Sequence, residues 1–266
     1  MPQDHQVIPM NKTICLLLVL PLFAGCAIGR KQDYRTANPS LPISTQQKIA
    51  VAVQDRRPDV LTKDVDEDYV GMQRGGYGNP FDVVTLSKQP LATEMAKEIT
   101  DSFNQAGIKA ETIGLSPDLS RDAVIAKLKS SHAEKALLVT LREWQSDTYA
   151  GTEVQYDVDM EALGKDGKTL AMKTSKGVEQ LGRAFWDPQG VAQEKAPVFF
   201  RTKMEELYAG DIQKALNTVG ETKPTPTMSD GGSDVISQIE KLKNLLDHGA
   251  ITPEEFAAKK KQILGI

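Results

Sequence analysis

Cysteine is scarce in this chain: only Cys15 and Cys26 occur among 266 residues. Two thiols cannot build a disulfide framework or a paired-cysteine metal centre. Histidine is nearly as rare, with His5, His132 and His248 far apart in the sequence. A His-Glu-x-x-His metal motif is therefore missing. No Gly-x-Ser-x-Gly elbow accompanies the serines, so Ser116 and Ser120 lack the setting of an activated nucleophile. Charge of one sign is lacking too. Lys and Arg number 32 against 36 Asp and Glu, giving a net charge of -4 without a basic stripe, which argues against nucleic acid as a partner. The apolar run Ile14 to Phe23 is well short of the about 20 residues that a membrane-crossing helix needs.

That short run is nevertheless informative. It follows Lys12 and ends in small residues, the layout of a secretory signal peptide. Its close, Leu22-Phe23-Ala24-Gly25-Cys26, resembles a bacterial lipobox. The resemblance implies a diacylglyceryl thioether on Cys26, cleavage before it, and acylation of the new amine. Met10 is the expected start, since Met1 to Pro9 is polar, and residues 1–25 are the expected leader. Each buried methylene contributes about 0.8 kcal/mol, so two or three chains would hold the protein on a bilayer. The same resemblance, with Ala27 after the cysteine, implies the periplasmic face of the outer membrane.

Residues 26–47 are polar, carry Pro39 and Pro42, and show no apolar periodicity. They are expected to form a lipidated tether, spanning about 25 Å as a flexible coil. Residues 48–219 are expected to form an α+β domain, a small mixed sheet with packed helices. Its strands are Lys48 to Gln54, Phe81 to Leu86, Ile108 to Gly114, Ala136 to Trp144, Thr152 to Leu163 and Thr169 to Leu181. A loop is expected from Asp55 to Pro80. Helices are expected from Pro90 to Gly107, from Ser120, and from about Val191 to Val219. Residues 220–233 read as a linker and 234–266 as a two-helix hairpin, its second helix opened by Thr252-Pro253-Glu254-Glu255.

Two further resemblances follow. Leu245-Leu246-Asp247, Gly249-Ala250-Ile251-Thr252, Glu255-Phe256 and Lys259 to Lys261 resemble the short C-terminal domain, SHOCT. That family implies oligomerisation or partner contacts and no catalysis. So short a hairpin buries too little apolar surface to stand alone, which also points to a docking partner. The run Val51-Ala52-Val53-Gln54-Asp55-Arg56-Arg57, with Gly71, Gly78 and Phe103-Asn104-Gln105-Ala106-Gly107, resembles the YajG-like lipoproteins.

The remaining candidate sites fail on chemistry. Asp64, Asp66 and Asp68 open like a calcium loop, but Tyr69 stands where glycine is needed and Gly75 where glutamate is needed. Gly75-Gly76-Tyr77-Gly78 lacks the spacing of a phosphate loop. Asp157, Asp159 and Glu161 share one strand face, expected to lie in water; an acid-base role would need a cleft that also held His132. Trp144 and Trp186 read as core or rim residues. The sequence thus predicts a non-catalytic envelope lipoprotein, with Cys26 as the lipidation site and no catalytic, cofactor or metal residue. Its partners would be the membrane and a protein or a second copy. The alternatives are an accessory subunit of an envelope transport or assembly complex, a structural spacer and a periplasmic hydrolase.

Overall fold

The long strand β5 (Lys135–Thr148) organises a mixed sheet. The computed structural model describes residues 31–75, 77–183 and 187–218; the expected leader, Cys26, Trp186, the linker and the C-terminal hairpin lie outside them. Along one edge of β5, the antiparallel β6 (Gly151–Gly164) pairs from Lys135↔Gly164 to Thr148↔Thr152, and β7 (Thr169–Arg183) pairs with β6. The other edge is shared end to end by two parallel strands. β1 (Ile49–Asp55) takes the half from Lys135 to Leu141, and β2 (Tyr69–Arg74) takes Ser146 to Thr148. Beyond β1 lies the parallel β4 (Ala110–Thr112), and beyond β2 the antiparallel β3 (Pro80–Val84).

Helices cover both faces. α2 (Leu91–Gln105) buries Leu91, Met95, Ile99 and Phe103, spaced by four so that they fall on one stripe, and it stops before Gly107 at φ 84°. It packs with α4 (Pro188–Tyr208) over Val51, Val139, Val158 and Met160. On the reverse face, α3 (Arg121–Ser130), N-capped by Ser120, lays Val124 and Leu128 on Ala50, Ala52 and Leu138. The alternation of branched and small residues in β1 is thereby explained, because both its faces are buried.

Three expectations change. The last helix is two: α4 ends at Tyr208, Gly210 turns the chain at φ 91°, and α5 (Asp211–Asn217) follows. Asp55 to Pro80 is not one loop, since it holds the short helix α1 (Pro58–Leu61) and β2. Gly71 of β2 sits at φ 145°, where an added Cβ would lie 2.2 Å from the Ser146 carbonyl oxygen, so the strand is threaded through a gap that only glycine fits.

The third change concerns the tether. Tyr34, Ala37 and Leu41 are each only 2% exposed. Gln32 bridges Thr85 in parallel and donates from its side chain to Ser146 Oγ at 3.0 Å. The chain then runs as a strap over the helices. The Asn38 and Ser40 amides donate to Glu98 and Glu205, Tyr208 donates to the Pro42 carbonyl at 3.0 Å, and the Ser44 amide donates to Asn217. The strap delivers the chain to Ile49, opposite Lys135. Burial of the tyrosine and leucine, each worth about 1.5–3 kcal/mol, outweighs the polarity that made this stretch read as coil. Lys135 Nζ donates to the carbonyls of Ala215 and Thr218, fastening the last described residues to that same end of β5.

Candidate functional site

A broad concavity opens where β1 and β4 end. Parallel strands present their carboxyl ends to a crevice of this kind in many α/β sheets. Its volume is about 430 Å³, and Val60, Leu61, Lys63, Val65, Asp66 and Glu67 line one wall. Ser116, Pro117 and Asp118 form the other. A neighbouring recess of about 120 Å³ shares Val60 and Val65 and reaches Tyr69, Glu143 and Gln145.

The position of both walls follows from the end of β1. Gln54 Nε2 donates to the Leu119 carbonyl at 2.9 Å and Arg56 to the Pro117 carbonyl at 3.1 Å, hanging the 116–119 loop on the strand. Arg57, 5% exposed, makes a forked pair with buried Asp55, with Nη2 to Oδ2 at 2.6 Å. Its Nη1 donates to the carbonyls of Tyr69 and Trp144, joining β1, β2 and β5 under the groove. Carboxylates dominate the rim. Burial, and then the nearby Asp55, push the Glu67 pKa up; burial, and then Asp59, do the same for Glu143. With Asp59, Asp66 and Asp118 against Lys63 and the Asp55-paired Arg57, such a groove suits a cationic or amide-rich segment and repels phosphate.

Of the described candidate ligand and nucleophile residues read from sequence, Asp66 and Ser116 line this groove and the others lie elsewhere. Asp64 accepts from Thr62 and Asp68 faces Lys88, so the acidic triplet points in separate directions. Asp157, Asp159 and Glu161 are less exposed than an open strand face implies, because arginines cover them. Arg142 grips Asp157 and Asp159, while Arg121 pairs with Glu161 at 2.5 Å. The Lys176 and Arg142 bonds hold the Asp157 pKa down, and the Arg142 bond does so for Asp159. Two carboxylates both kept ionised lack the separation that acid-base chemistry uses. His132 is exposed after α3, with φ 55°. Ser120 serves as a cap, and Ser116 lines the groove. Trp144 is fully buried, with its ring centroid 5.2 Å from that of Phe199 and 6.1 Å from that of Phe200.

Sequence reasoning missed one internal network. Trp144 Nε1 donates to Tyr34 Oη at 3.1 Å, Tyr34 donates to Gln32 Oε1 at 2.9 Å, and Gln32 reaches Ser146. Burial pushes the Tyr34 phenol pKa up, so it remains a donor. Only the local pattern Gln32-x-Tyr34, with the extended Asp33 between them and a 3-10 turn beginning at Tyr34, could have hinted at it.

No helix among the described residues is long and apolar enough to cross a membrane. No curated protein matches the sequence. Among solved structures, protein XCC0632 of Xanthomonas campestris is 14% identical, with 72% of this chain and 96% of that one covered and a TM-score of 0.43. A PelC dodecamer from Paraburkholderia phytofirmans is 12% identical over 69% and 95% of the two chains, TM-score 0.35. The LpoB C-terminal domain of Salmonella enterica is 12% identical over 52% and 85%, TM-score 0.27. Likenesses this distant carry no argument about function. Residues 237–264 match the family model of SHOCT, the short C-terminal domain.

Proposed function

We propose that this protein is a lipid-anchored lipoprotein of the bacterial envelope that acts by binding and assembly rather than by catalysis. The observation that carries the reading is Leu22-Phe23-Ala24-Gly25-Cys26, placed six residue steps ahead of Gln32, where the packed domain begins. The lipid would fix the protein to a membrane, the outer membrane in our reading. The SHOCT segment would make homomeric or partner contacts, and the acidic groove would offer a second protein-binding surface. The carboxylate pairs being locked by arginines supports the non-catalytic reading.

The test is the native polypeptide's mass and its fractionation. A diacylglyceryl-modified amino-terminal Cys26 is the expected species, and Cys26→Ser should release the protein from membranes on carbonate washing. An unmodified cysteine, an intact leader, or a Cys26→Ser variant that stays in the membrane fraction would refute it. The acidic groove also favours a narrower reading, as an accessory subunit of an envelope transport or assembly complex. Crosslinks from Lys63 to one recurrent envelope partner would support that reading.

A further inference from the structure

We infer that the end of the sheet carrying Tyr77 and Tyr149 is a membrane-facing surface that seats in the headgroup layer of the bilayer. The inference rests on the lipid-anchor reading of Cys26 and adds an orientation to it.

The direction of the chain supplies the first argument. Gln32 pairs in parallel with Thr85, just past the end of β3, which itself starts at Pro80 beside the β2–β3 turn. Read backward from Gln32, the chain therefore heads toward that turn. Covalent length supplies the second. Six residue steps join Cys26 to Gln32, a reach of about 20 Å even when fully drawn out. Gln32 lies at the level of Ser146, three residues from Tyr149. In the other direction, eleven strand residues lead from Ser146 to Lys135, about 36 Å. The anchor can reach the plane of the tyrosine end and falls well short of the opposite turn at Lys165.

The third argument is what that end displays. Tyr77, in the β2–β3 turn, is 99% exposed, and Tyr149, in the β5–β6 turn, is 54% exposed. Pairing of Gln73 with Thr148 brings the two turns side by side. A tyrosine ring has an apolar body and a polar tip, which is why such residues collect at membrane–water boundaries. Charge is close to balanced there: Arg74 and Asp147 neutralise each other at 2.5 Å, and Glu153, opposite Asp147, is the anion that the nearby Arg183 offsets in sign. Arg183 sits across from Gly151 at the rim.

The experiment uses the full, acylated protein reconstituted into phosphatidylethanolamine–phosphatidylglycerol vesicles containing a headgroup nitroxide lipid. Fluorophores are placed through Asn79→Cys at the tyrosine end and Lys165→Cys at the far turn. We expect quenching several-fold stronger at position 79 than at 165, falling toward the 165 level when Tyr77→Ser and Tyr149→Ser are combined. Equal quenching at the two positions, or none at 79, would overturn the inference. So would a position-79 signal untouched by removing both tyrosines. The intact mass of the same sample separates the two ideas. Acyl chains present without quenching at 79 sink only the orientation, while their absence sinks the anchor and the orientation together.

Discussion

The strap from Gln32 to Gln47 makes the sharpest test of the fold, because a true tether would tolerate almost any substitution. Tyr34→Phe keeps the ring and removes only the hydroxyl that links Trp144 Nε1 to Gln32 Oε1. Both groups are buried, and an orphaned buried polar group costs about 1–3 kcal/mol. A loss of about 2 kcal/mol, at a urea slope of about 2 kcal/mol per M, would move the unfolding midpoint down by about 1 M. Tyr34→Ala also removes a ring packed 6.0 Å from Phe200 and 6.5 Å from Trp144, centroid to centroid. That variant should lose about 3–5 kcal/mol. The measurement is equilibrium urea unfolding of the soluble form lacking residues 1–26, followed by intrinsic tryptophan fluorescence. If both variants stay within about 0.5 kcal/mol of the parent, as exposed sites do, the strap is a free tether and its described packing is wrong.

Gly71→Ala should destabilise the domain by about 3 kcal/mol or more, since the new methyl meets Ser146 backbone atoms at 2.2 and 2.5 Å and the backbone sits at φ 145°; thermal unfolding reads this directly. Burial holds the Glu94 pKa above its ordinary value, with the Ser87 bond and Arg35 only partly offsetting this. A carboxyl with a raised folded pKa costs stability as pH rises through that value and costs nothing once both states are protonated. Glu94→Gln should therefore stabilise the protein at neutral pH, with the gain vanishing below about pH 4, under the ordinary glutamate range; a gain that persisted in acid would contradict the electrostatic account. Leu245→Asp should abolish self-association of the soluble form, and an unchanged sedimentation profile would remove the C-terminal hairpin from that role.

Elements with a repeating local signal were legible in the sequence. The four-residue spacing of Leu91, Met95, Ile99 and Phe103, the Ser120 cap and the Lys165 to Lys168 turn all fall where periodicity and turn chemistry place them. β2 was not legible, because Gly71 interrupts its alternation and its register depends on β5, far along the chain. The strap was hidden for the same reason: its prolines and polar residues favour coil locally, and its few apolar residues gain burial only once α2, α4 and the sheet exist. Of the groove, the wall within Asp55 to Pro80 was expected only as loop, whereas Ser116 to Asp118 joins it through the pairing of β4 with β1 and the bonds from Gln54 and Arg56. The arginine partners of Asp157 and Glu161 lie at sequence separations that no local pattern encodes.

The strap also has a mechanical consequence. Its attachments, from the Gln32–Ser146 bond to the Ser44–Asn217 bond, are spread along its whole course rather than stacked at one point. Tension entering at the amino end and resisted at Thr218, which is pinned by Lys135, would run lengthwise through the molecule. Many fastenings would then be loaded together in shear instead of peeling open in sequence.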